Sequence, residues 1–139
     1  MEMSKLTKEE LELLEKSGYS KKVIKYYKDK VNVGVLNDAD AALAYTGPCG
    51  DTIKLYLKIN QSSTIEDAKI QCLGCPGAAS SGSALTKLVK GKTLEEAKKI
   101  TEEDILRDLG GLPKLKLDCP KLAVTTLQKT IEKYERKVA

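Results

Sequence analysis

Apolar positions recur along this chain with two periods, and the change from one to the other marks out its elements. Thr7-x-x-Glu10 precedes Leu11, Leu13 and Leu14, with Gly18 as a stop. That capping-box pattern predicts a short helix over 7–17. Ser20 caps a second over about 20–29, with Val23, Ile24 and Tyr27 on one face at helical spacing. From Ala42 the period falls to two. Ile53, Leu55, Leu57 and Ile59 alternate with Lys54, Tyr56 and Lys58, a half-buried strand, and a second follows from Ile65 to Leu73. Asn60-Gln61-Ser62-Ser63 is the turn between them, Ala42 to Thr46 is a candidate third strand, and an antiparallel sheet is the economical arrangement.

After Cys75 the helical period returns. Leu85, Leu88 and Val89 form an apolar face and Gly91 a stop, and Thr93-x-x-Glu96 and Thr101-x-x-Asp104 mark two further helix starts. A last helix is predicted from Pro120 nearly to the end, with Ala123, Leu127, Ile131, Tyr134 and Val138 as its apolar stripe.

Length and composition narrow what such a chain can do. One domain of 139 residues buries roughly two-thirds of the surface of its unfolded form, so no disulfide framework is needed. The excess of 24 Lys and Arg over 20 Asp and Glu is spread along the chain, and six Tyr without Phe or Trp supply few stacking platforms. Nucleic acid is therefore not an expected partner. No stretch approaches the ~20 apolar residues of a membrane span, and a soluble, cytoplasmic protein is expected. Histidine is absent, which removes Cys-His and Ser-His catalysis and any zinc site that needs histidine. A metal must be held by cysteine and carboxylate.

Four cysteines in a reducing compartment point to metal, redox or catalytic roles before disulfides. Cys72 and Cys75 form a C-x-x-C, which on its own reads as a thiol redox pair or a zinc knuckle. Strand phase places Cys72 on the face of Ala68 and Ile70, as a small core residue. Cys75 and Cys119 each precede a proline at a predicted helix start, making each an expected N-cap whose thiolate the helix terminus stabilises. Cys49 lies in Gly47-Pro48-Cys49-Gly50-Asp51. In an extended segment Cys49 and Asp51 point to one side and can ligate one ion; alternatively Asp51 merely ends the turn. The small residues from Pro76 to Ala84 suit either a helix end facing a ligand or close packing on the sheet. The spacing 49, 75, 119 is too long for a zinc ribbon or a ferredoxin run. Three thiolates finished by a carboxylate should hold iron less firmly than four thiolates.

These residues resemble the IscU/NifU N-terminal type iron–sulfur cluster assembly scaffolds. The likeness runs from about Tyr19 to Tyr134, through Tyr19-Ser20-x-Lys22-Val23-Ile24, Asn32-Val33-Gly34, Cys49-Gly50-Asp51, Gly74-Cys75 with Ala79-Ser80-Ser81, Val89-Lys90-Gly91-Lys92 and Leu112-Pro113-Lys114-Leu115-Lys116. It implies an α+β fold, a small antiparallel sheet of about three strands packed against several helices, the longest at the C-terminus. It divides the chain into a helical extension over 1–18 and a scaffold domain over 19–139. By the same likeness Cys49, Asp51, Cys75 and Cys119 bind a [2Fe–2S] cluster, Cys119 accepts persulfide sulfur, and zinc can occupy the cluster-free site. The implied partners are a cysteine desulfurase, apo acceptor proteins, a ferredoxin and a DnaK-type chaperone. The chain is then a carrier and not an enzyme. Asp118 stands where many members have histidine, which makes Asp51 the first and Asp118 the second choice of fourth ligand. Leu-Pro-Lys-Leu-Lys departs from the usual chaperone-binding Leu-Pro-Pro-Val-Lys. A zinc-stabilised persulfide-transfer protein is the alternative, since Zn²⁺ accepts the same ligands.

Overall fold

The computed structural model of the chain describes residues 7–139, Leu115 by its backbone alone. In order along the chain run α1 (Lys8–Lys16), α2 (Lys21–Asp29), β1 (Ala41–Thr46), β2 (Thr52–Ile59), β3 (Ile65–Leu73), α3 (Pro76–Val89), α4 (Leu94–Ala97), α5 (Glu102–Leu109) and α6 (Asp118–Val138). Local chemistry accounts for most of the boundaries. Thr7, Thr93 and Thr101 each accept the backbone N–H three residues on, and Glu10, Glu96 and Asp104 reach back to the cap N–H. Each exchange satisfies two donors that a helix start otherwise leaves unpaired.

The three strands form an antiparallel sheet in the order β1-β2-β3. Alternation along β2 buries Ile53, Leu55 and Leu57 completely, and α3 and α6 pack on the sheet. Helices α2 and α5 pack against α3 in turn, giving the α+β architecture expected. The outer edge of β3 is capped by a short parallel bridge, in which Gly34 N–H donates to Ile70 C=O at 2.8 Å and Ile70 N–H to Asn32 C=O at 3.0 Å. An edge covered in this way offers no free ladder to another chain there. No helix among the described residues is long and apolar enough to cross a membrane.

Some expectations shift. In α2 the buried aromatic is Tyr26, and Tyr27 is only half-buried. The Tyr26 hydroxyl donates to Asp108 Oδ2 at 2.9 Å and accepts from Lys87 Nζ at 3.0 Å, so partners on α5 and α3 satisfy its polar tip and let the ring go in. The stripe on α6 is fully buried at Ala123 and Leu127 but has reached solvent at Val138. The helix itself starts earlier than Pro120. A 3-10 turn over Lys114–Lys116 leads through Leu117 into helical backbone at Asp118, so Cys119 lies inside the first turn and is not an N-cap. Of the N-terminal extension, residues 1–6 lie outside the described residues; α1 follows and contributes no buried side chain.

Candidate metal centre

The register of the sheet sets the centre up. Thr52 at the start of β2 pairs with Leu73 at the end of β3, so Asp51 and Gly74, one residue further out on each strand, lie side by side. Their contact is close: a Cβ added at Gly74 would fall 2.6 Å from Asp51 Cγ. Only glycine leaves room for the carboxylate to lean over this strand end. Cys75 follows as the N-cap of α3, with Pro76 in the first turn, and its sulfur accepts the Ala78 N–H at 3.4 Å. Packing of α3 against α6 then brings in Cys119. Its sulfur lies 3.8 Å from that of Cys75, and Cys75 Sγ lies 3.4 Å from Asp51 Oδ2. One ligand atom from each of Asp51, Cys75 and Cys119 lies within 4.8 Å of the others.

The small residues of α3 make two kinds of close approach, one to the sulfurs and one to the sheet. At Gly77 a Cβ would stand 3.2 Å from Cys119 Sγ and 3.6 Å from Cys75 Sγ, so this glycine keeps the space between the sulfurs open. At Gly82, just over one turn along, a Cβ would come 2.6 Å from Ile70 Cδ1, so that glycine serves contact with the sheet.

The two sulfurs are electrostatically unequal. The Cys75 thiol is pulled down to about 6, first by the hydrogen bond from Cys119 and then, against the cost of burial, by the Ala78 N–H and the Lys116 ammonium. Cys119 moves the opposite way, because it supplies the proton to Cys75 and is itself buried. The pair therefore holds one proton between them near neutrality. In that state Cys75 accepts from Cys119 and Ala78 and faces the repelling carboxylate of Asp51; with its own proton it can donate to Asp51 instead.

Cys49 lies outside this group. It is exposed and lines a neighbouring cleft of about 250 Å³ with Tyr45, Asp118, Lys121, Leu122 and Thr125. The expectation that Cys49 and Asp51 point to one side assumed extended backbone, and Gly50 between them has φ +91°. This left-handed residue turns the chain. Asp118 joins Cys49 in the cleft because neighbouring residues on a helix project about 100° apart, which separates it from Cys119. Cys72 keeps the strand phase of Ala68 and Ile70 but is only half-buried at the end of β3. Burial first, then Asp51 and Cys75, push its thiol up to about 11, so it carries its proton at neutral pH.

Two residues that sequence reasoning passed over as motif members belong to the rim. Lys116 is raised above the ordinary lysine value, chiefly by Cys75 and then by Tyr19, and is the cation beside the thiolate. Tyr19 is raised by burial and then by Cys75, and its phenol meets the backbone N–H of Gly77. The position of Lys116 three residues before Cys119 was the one local signal for it.

Comparison with known proteins gives the family and the fold. The profile of the NifU-like N terminal domain family matches residues 18–139. The "Iron-sulfur cluster assembly scaffold protein IscU 1" of Archaeoglobus fulgidus is 42% identical over 120 residues, covering 86% of this chain and 78% of its own. The scaffold protein IscU of Escherichia coli K12 is 40% identical over 123 residues, covering 86% and 95%. Among solved structures, a putative scaffold protein for the SUF system from Fervidobacterium islandicum superimposes with a TM-score of 0.68 at 22% identity, covering 81% of this chain and 96% of its own. The N-terminal part of a NifU-like protein from Brucella abortus gives 0.69 at 17%, covering 85% and 94%. These two establish likeness of fold.

Proposed function

The chain belongs to the NifU-like N terminal domain family, and from that premise we propose that it is a scaffold on which iron and sulfide are built into a [2Fe–2S] cluster. The finished cluster is then passed to apo acceptor proteins. The observation that carries the reading is the convergence of Asp51, Cys75 and Cys119 within 4.8 Å. Two sulfurs at 2.3 Å on one tetrahedral ion stand about 3.8 Å apart, and Cys75 and Cys119 already stand at 3.8 Å. With Asp51 they form a three-point seat for one iron. Cys49, from its exposed glycine loop, supplies the further thiolate, and Asp118 in the same cleft is the second-choice carboxylate. Harder oxygen ligands exchange faster than thiolates, which suits a cargo that must leave.

Cys119 is the proposed sulfur acceptor. A buried thiol with a raised pKa attacks only once its proton leaves, and a ferrous ion seated on Asp51 and Cys75 would favour that loss. The thiolate then attacks the outer sulfur of a desulfurase persulfide, the S–S bond breaks, and the desulfurase keeps its thiolate. Release of the sulfur as sulfide needs two electrons, the role assigned to a ferredoxin. The scaffold domain spans 19–139, preceded by an extension over 1–18 to which no role is assigned, and the protein works as a carrier in the cytoplasm. A DnaK-type chaperone is a further candidate partner.

The test is cluster content in single Cys→Ser variants after anaerobic assembly. Serine at position 75 or 119 is expected to remove most bound iron and sulfide. Unchanged content in both would end the assignment. A zinc-stabilised persulfide relay is the second reading, favoured by the same three-point seat, which suits a single Zn²⁺. It requires stoichiometric zinc that ferrous iron does not displace.

A further inference from the structure

We propose that Cys75 and Cys119 are a reversible redox pair, which closes to a disulfide on exposure to peroxide and thereby withdraws two of the three convergent ligands from metal. The observation behind it is distance and space. The sulfurs are 3.8 Å apart and need to approach to about 2.05 Å, and the missing side chain at Gly77 leaves the gap between them clear. Their environments also divide the work. Cys75 is partly exposed, whereas Cys119 is buried at 3% exposure. The first can meet an oxidant, and the second is held in contact with it.

The chemistry balances with hydrogen peroxide as the oxidant. The Cys75 thiolate attacks one peroxide oxygen, the O–O bond breaks and hydroxide leaves, giving a sulfenic acid. The Cys119 sulfur attacks the Cys75 sulfur, the S–S bond forms and the S–O bond breaks, and the departing hydroxide takes the Cys119 proton as water. Two thiols lose two electrons, and one peroxide becomes two waters. Cys72 offers the competing partner by sequence, as C-x-x-C. It lies outside the group of three whose ligand atoms meet within 4.8 Å, and the sulfur in contact with that of Cys75, at 3.8 Å, is that of Cys119, which makes Cys119 the expected partner. The consequence for metal loading rests on the scaffold reading above; the chemistry of the pair does not.

The experiment treats the metal-free full chain with one equivalent of hydrogen peroxide, blocks remaining thiols and maps linked peptides without reduction. The expected product joins Cys75 to Cys119, forms equally in a Cys72→Ser variant and reverses with dithiothreitol. In a Cys119→Ser variant Cys75 is expected to stop at sulfenic acid, trapped by dimedone. A main product joining Cys72 to Cys75, or Cys75 oxidised beyond sulfenic acid while Cys119 stays free in the parent chain, would overturn the pair. Preloading with Zn²⁺ is expected to slow closure at least tenfold, and equal rates with and without zinc would overturn the coupling to metal. Failure of Zn²⁺ to bind the reduced chain would strike the metal-site reading alone and would be seen separately from the metal-free arm.

Discussion

At Cys75 a helix N-terminus, a neighbouring thiol and a lysine act together on one sulfur, and their sum can be read from its reactivity. Iodoacetamide consumes the thiolate, so the rate of Cys75 modification in the metal-free chain is expected to rise with pH about a midpoint near 6. Cys119→Ala removes the leading hydrogen bond and is expected to move that midpoint up; an unchanged midpoint would show that Cys119 does not donate to Cys75. Asp51 acts differently, through lability. Asp51→Ala is expected to leave a cluster that persists longer and transfers more slowly to an apo ferredoxin, followed by the change in visible absorption. Faster transfer would give Asp51 another role. At this scale the sequence was partly legible. Cys75 as an N-cap before Pro76 rests on neighbours in the chain and is found as read. Cys119 looked the same but is drawn into the helix by the turn over Lys114–Lys116. The left-handed turn at Gly50, which parts Cys49 from Asp51, is permitted by glycine but announced by nothing else nearby.

Among the elements, the glycines where strand and helix meet carry the geometry. Gly74→Ala places a methyl group 2.6 Å from Asp51 Cγ. The carboxylate can swing away at little cost to the fold, so slower cluster transfer to apo ferredoxin, in the same direction as Asp51→Ala, is expected with the helical circular dichroism intact. Gly82→Ala meets Ile70 Cδ1 at 2.6 Å deep in the core. Overpacking of this kind costs about 1–3 kcal/mol, measured as a loss of unfolding free energy, with metal affinity unchanged. The capping boxes at Thr7, Thr93 and Thr101 and the alternation in β2 are local signals, and the elements they predict are all present. The burial of Tyr26 depends on Asp108 and Lys87, distant in the chain, and no period in α2 could announce it.

For the molecule as a whole, the centre is a product of topology: the β2–β3 register sets Asp51 beside Gly74, and α3 against α6 sets Cys75 beside Cys119. The residue types were legible, but which three of them meet was not, because that depends on pairings far apart in the chain. Proton bookkeeping follows from the assembled centre. Metal binding must expel the proton that Cys119 retains, so calorimetric titration with Zn²⁺ at pH 7 in buffers of differing ionisation enthalpy is expected to show net proton release. The most direct test of the scaffold account is anaerobic incubation with ferrous iron, cysteine and a cysteine desulfurase, with iron, sulfide and zinc then quantified on one sample. About two iron and two sulfide per site, without retained zinc, is the result expected of a [2Fe–2S] scaffold; one zinc per chain that iron cannot displace, with no sulfide bound, would contradict it.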